Sequence, residues 1–142
     1  MQKLAILMMM AGAPAAAQVL SELPEDQAVP PSIEAGINAS LQSGEILDLV
    51  RRWQGDLVGD AEPDQVVQAA IAVGDGNAAF LRQWIFERRG DDYVALPPLD
   101  LPNGIKAARR EGQDLVLTLY KALPEDPLCC PSAEEDVRVP LK

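Results

Sequence analysis

The chain has 142 residues, with 12 Lys and Arg against 22 Asp and Glu, no His, and a formal net charge of -10. That length suits one domain, and the acidic balance excludes ordinary nucleic-acid binding, which needs cations to displace counterions from phosphates. The lack of His excludes Ser-His-Asp and Cys-His nucleophile pairs and every zinc motif that uses His.

Residues 1–17 read as an export address. Lys3 gives a positive start, Leu4 to Ala11 is an unbroken apolar run, and Ala15, Ala16 and Ala17 supply small residues before Gln18. This is the layout of a secretory signal peptide, with cleavage expected after Ala17. The apolar run is too short to stay in a bilayer as a spanning helix, and no later segment approaches that length. No Cys stands at the end of the run or the expected cleavage point, so no lipid anchor is expected at the new N-terminus. The expected location is the periplasm or the outside of the cell.

Residues 18–31 (QVLSELPEDQAVPP) are rich in Pro and acid and carry no sustained period, so they are expected to be an extended linker. Residues 32–142 are expected to form a single α+β domain. Ser32 stands at an N-cap position, with Ile33, Ile37 and Leu41 every four residues and Gly44 as the stop. That predicts a short amphipathic helix, weakened by Gly36 and Asn38. Ile46 to Trp53 fits either another helical turn or a strand.

Strands follow. Gln65 to Val73 places Val67, Ala69, Ile71 and Val73 on one face at period two. Gly74 to Asn77 is a turn signal. Phe80 to Arg88 then sets Phe80, Trp84 and Phe86 against Leu81 and Ile85. A second turn at 89–92 leads to Tyr93–Leu96, which Pro97 and Pro98 end or confine to an edge. Ile105–Arg109 and Asp114–Leu119 flank a Gly-containing hairpin loop at 111–113. In the second of these, Leu115, Leu117 and Leu119 face one way, opposite Val116, Thr118 and Tyr120. Val137–Leu141 is a last short strand. The predicted fold is α+β, an antiparallel sheet of about five or six strands with a short N-terminal helix.

Two local features carry chemistry. The first is the acidic turn at 55–64, where Asp56, Asp60 and Asp64 recur every four residues. In a tightly coiled loop they converge on one hard cation, as calcium requires. They fill the first, fifth and ninth places of a calcium-type loop, but the third is Val58 and the sixth is Ala61, where an oxygen ligand and a bend-permitting Gly belong. Calcium is therefore a weakly supported cofactor. The competing reading is an acidic turn leading into a buried strand, with Gly55 and Gly59 chosen for backbone reasons.

The second feature is the loop Asp126-Pro127-Leu128-Cys129-Cys130-Pro131-Ser132, which holds both cysteines of the chain. In an oxidising compartment they close on each other, bond to a second molecule, or stay reduced. Adjacent Cα atoms lie about 3.8 Å apart, below the usual disulfide range, so a vicinal bond is strained and labile. Such a ring stiffens the loop and presents a flat apolar plate. A labile one reports redox state, and a reduced pair offers two thiolates to a soft metal ion. A spaced C-x-x-C at a helix start, the usual redox-enzyme arrangement, is missing.

Together the segments GDLVGDAEPDQVV (55–67), GDGNAAFLRQWIF (74–86), REGQDLVLTLY (110–120) and DPLCCPS (126–132) resemble the LppP/LprE lipoprotein family of bacterial secreted proteins, over about residues 53–141. The D-P-x-C-C-P-S element is the specific part. The resemblance implies an envelope or extracellular location and this order of elements. It supplies no catalytic residues. The chain departs from the family in lacking a lipid-attachment Cys and the Asn/Asp and Gly of the acidic turn.

The expected function is a secreted, non-enzymatic domain that binds an unidentified protein or small ligand in the envelope. Asp126, Pro127, Cys129, Cys130, Pro131 and Ser132 form its binding or redox loop. A redox-responsive or soft-metal protein using the same sulfurs, and a calcium-stabilised module, are the alternatives.

Overall fold

The computed structural model describes residues 17–60, 62–74 and 79–141. The expected signal peptide, apart from Ala17, lies outside the described residues, as do Ala61 and the turn residues 75–77. Among the described residues, one helix and nine strands appear, numbered in chain order. They are β1 (Gln18–Val19), β2 (Ser21–Glu22), α1 (Pro31–Ser40), β3 (Glu45–Gly55), β4 (Asp64–Val73), β5 (Ala79–Arg89), β6 (Asp92–Ala95), β7 (Ile105–Glu111), β8 (Asp114–Lys121) and β9 (Ala133–Pro140). No helix among them is long and apolar enough to cross a membrane.

The expectation of a mainly antiparallel α+β fold holds, but the strands divide into two sheets instead of one. A five-stranded sheet runs β2-β3-β4-β5-β6 and a four-stranded sheet runs β1-β7-β8-β9. The alternation along the strands explains why they stack. Val66 and Ile85 point to one side of the larger sheet with Trp53, where Ile105, Ala108, Leu115, Leu117 and Leu119 of the smaller sheet meet them. Val67, Ala69, Ile71, Trp84 and Phe86 point to the other side, where Ile33 and Ile37 of α1 cover them. The larger sheet is thus buried on both faces, between the helix and the smaller sheet.

Residues 18–31 are corrected from linker to framework. β1 pairs with β7 and β2 pairs with β3, so five residues cross from one sheet to the other. Between them Leu20 is 4% exposed and packs in the inter-sheet core. Further along, the Arg52 guanidinium donates to the carbonyls of Gln27 (2.9 Å) and Ala28 (3.2 Å) and to Gln65 Oε1 (3.2 Å). A buried cation fixed by neutral acceptors pins this segment over β3.

The helix also differs at both ends. Pro30 and Pro31 start it, since a proline at the first helical position loses no needed donor. Ser32 lies within the first turn, and its Oγ accepts the Tyr93 N–H at 2.9 Å, closing the outer edge of β6. Gly44 stands at φ +82° in the turn into β3, beyond the helix end at Ser40. Gly36 is required by approach: a Cβ there would lie 2.8 Å from Phe86 Cε1. Residues 46–53 are strand, with a bulge between Leu47 and Leu49. Val73 and Phe80, expected on the core face, are 44% and 36% exposed near the far end of the β4–β5 hairpin.

Candidate functional site

The loop from 122 to 132 joins β8 to β9 and holds the cysteines. Its base is closed by one carboxylate. Asp126 Oδ2 accepts the backbone N–H of Leu123 at 2.7 Å and of Ser132 at 2.9 Å, and the Ser132 hydroxyl donates to Oδ1 at 2.8 Å. The Asp126 N–H returns to the Leu123 carbonyl at 2.9 Å. Short-side-chain acids are suited to this task, because the carboxylate reaches backbone donors a few residues away. The Leu123 N–H, then the Ser132 N–H and hydroxyl, hold the Asp126 carboxyl below its usual range.

Above this base the chain turns again, with the Cys130 N–H donating to the Pro127 carbonyl at 3.1 Å. Cys129 and Cys130 are joined as a vicinal disulfide, with Cα atoms 3.8 Å apart. Both cysteines are exposed, and Leu128 beside them is fully exposed. The disulfide, Pro131 and the last outward-facing residue of β8, Tyr120, line an open depression of about 440 Å³. That volume lies in the range of small-ligand sites, but the depression is open rather than enclosing. Its lining residues are the bonded cysteine pair, a proline and a tyrosine, and its surface is more apolar than polar. In the bonded form neither sulfur is a thiolate, so soft-metal binding requires prior reduction.

The structure places the sequence-predicted loop residues with Asp126 and Ser132 at the base and Pro127, Cys129, Cys130 and Pro131 at the tip. Tyr120 and Leu128 were missed. The signal for Tyr120 was present in β8, where it is the outward residue nearest the loop. Leu128 is an apolar residue flanked by Pro and Cys, and its exposure follows only from the turn.

Beyond Tyr120, the outer face of the smaller sheet is a mesh of paired charges. Arg109 meets Glu111 at 2.9 Å and Asp136 at 3.0 Å, and Arg138 meets Glu111 at 2.6 Å. Lys106 pairs with Glu134. Arg51 and Arg52 lie in β3. Arg51 stacks 4.9 Å over Trp53 and pairs with Glu22 at 2.7 Å. Among the described residues, the arginines are thus largely committed to internal partners.

The acidic turn brings Asp56, Asp60 and Asp64 together, with carboxylate oxygens all within 4.8 Å of one another. Asp64 is buried at the start of β4. It accepts the N–H of Leu57 at 2.8 Å and of Arg88 at 2.9 Å, fixing the turn to β5. Burial pushes its carboxyl upward; the two N–H bonds oppose this, and Asp60 and Asp56 add to it. Asp56 Oδ1 accepts the Gly59 N–H at 2.8 Å, and Asp60 Oδ1 accepts the Glu62 N–H at 3.0 Å. Gly59, at φ +80°, is there for the backbone. Gly55 is there for space, since a Cβ would stand 2.8 Å from Leu20 Cγ. Every acid of the trio has a structural use, and Val58 still supplies no side-chain oxygen.

No described protein family, curated protein or solved structure matches the chain.

Proposed function

We propose that the chain is an exported, non-enzymatic binding protein of the cell envelope whose recognition element is the Cys129–Cys130 loop. One observation carries this reading: a fully exposed Leu128 and an open apolar depression formed by the vicinal disulfide, Tyr120 and Pro131, on a loop held shut by Asp126. Apolar groups presented on a rigid loop lose little freedom on docking, so more of their burial energy appears as affinity. The export pattern of residues 1–17 and the D-P-x-C-C-P-S likeness to LppP/LprE proteins support the compartment.

The test places a photo-crosslinking residue at position 128 in the native host, with Val94 as a control site. A discrete product from position 128, missing at 94 and lost when both cysteines become Ser, is the expected result. Identical products at the two sites, or a product indifferent to the serine replacements, overturn the reading.

A second reading, a calcium-stabilised turn, is favoured by the convergence of the Asp56, Asp60 and Asp64 oxygens. With one ligand position lost at Val58, its affinity belongs at the weak, extracellular end of the range, about 10⁻⁴–10⁻³ M or weaker. Thermal melting with and without calcium decides it.

A further inference from the structure

We infer that the Cys129–Cys130 disulfide is a local redox switch: a dithiol reductant removes the docking plate while the rest of the protein stays folded. The inference rests on the binding reading above and adds its regulation. Three observations carry it.

The sulfurs are accessible, since both cysteines are exposed at the loop tip. Exchange requires a thiolate to reach a disulfide sulfur, so access is the first condition.

The loop base is closed without sulfur. Asp126 ties Leu123 to Ser132 through backbone and hydroxyl donors, and none of these bonds involves Cys129 or Cys130. On either side, β8 and β9 are paired from Asp114↔Pro140 to Lys121↔Ala133. Leu115, Leu117 and Leu119 anchor β8 in the core.

The disulfide encloses almost no chain. Cross-links stabilise largely by restricting the unfolded state, and more so for long loops. A link between neighbours in sequence restricts the unfolded chain hardly at all, so its loss costs the fold little. What it fixes is the tip, where the sulfurs form one wall of the Tyr120 depression.

The chemistry balances. A thiolate of the dithiol attacks one sulfur, breaking the Cys129–Cys130 bond and forming a mixed disulfide with that cysteine. The second thiol of the reductant, as thiolate, resolves it. Two electrons and two protons end on the cysteine pair, and the reductant leaves as a disulfide. Exchange with a disulfide oxidant restores the plate.

The test treats the folded protein with dithiothreitol. Thiol titration, melting, amide hydrogen exchange and crosslinking from position 128 are then read together. Two thiols should appear under native conditions. The melting midpoint should move by less than about 2 °C. Exchange should rise at least about tenfold at the Cys130 amide, which donates to the Pro127 carbonyl, with β8 and β9 unchanged. The crosslinked product should fall away and return on reoxidation. The inference is overturned if thiols appear only on unfolding, or if exchange spreads into β8 and β9. A product that persists in the reduced protein overturns the switch and leaves the binding reading standing. Thiols and local loosening without a product in either state overturn the binding reading instead.

Discussion

Leu20→Ala is the sharpest probe of the architecture, because composition reads residues 18–31 as linker and the structure builds them into the core. Leu20 is 4% exposed and packs with Trp53, Leu57 and Leu115 where the two sheets meet. The substitution removes three buried carbons, worth roughly 2.4 kcal/mol at about 0.8 kcal/mol each. Trp53 and Leu57 are each 1% exposed, and Gly55 has no side chain to move into the space. A residual cavity therefore brings the loss to about 3 kcal/mol. For a domain of this size that lowers the melting midpoint by roughly 12 °C. Urea denaturation followed by the fluorescence of Trp53 and Trp84, both buried, reads it directly. The neighbouring Val19→Ala, at a position 78% exposed, is the control and should change stability by less than about 0.5 kcal/mol. If Leu20→Ala also falls below that figure, the segment is a tether and the seam of the two sheets is not where we place it.

Gly36→Ala should destabilise the protein even though alanine favours helices by about 1 kcal/mol. The new methyl meets a Phe86 ring that is 1% exposed and has nowhere to go. Overpacking of about 2 kcal/mol therefore leaves a net loss near 1 kcal/mol in urea denaturation; a gain in stability would show that the ring yields. For the acidic turn, a dissociation constant of about 1 mM gives roughly 1.4 kcal/mol of stabilisation at about 10 mM calcium. That is a rise of about 5 °C in melting midpoint, reversed by chelator and lost in Asp60→Asn. No shift at that concentration rejects the calcium reading.

Much of the fold was legible wherever one face of a strand is buried and the period runs unbroken. Leu115, Leu117 and Leu119 fall in the inter-sheet core, and Gly112 takes φ +59° in the turn before them. The opposed faces of β4 and β5 also emerged, because Val67, Ala69 and Ile71 alternate without interruption. Residues 46–53 resisted for a physical reason. The bulge after Leu47 shifts the alternation by one residue, so Ile46, Leu47, Leu49 and Val50 fit no single period. β1 and β2 have two residues each, too few to carry a period at all. Their pairing is set by Arg109 and Arg110 on one side and Trp53 and Gln54 on the other, which lie far away in sequence. The division into two sheets was hidden for the same reason. It depends on where the connector 96–104 leads, and that connector is tied to β5 by scattered contacts, the Gln83↔Leu99 bridge, the Leu96 N–H to the Ile85 carbonyl and Gln83 Nε2 to the Asn103 carbonyl, which carry no period.

The candidate site was legible in a different way. Its loop is local in sequence, so the residues that build it are also the residues that betray it: Asp126 reaches only three residues back and six forward. The acidic turn is equally local, yet its chemistry was harder to read, because Asp64 serves a distant strand through the Arg88 N–H. A carboxylate fully engaged by backbone donors looks the same in sequence as one waiting for a cation. Asp126, like Asp64, is engaged by backbone donors. Both acids hold loops closed with backbone donors, and the groups left facing solvent at the loop tip are sulfur, Leu128 and an aromatic ring.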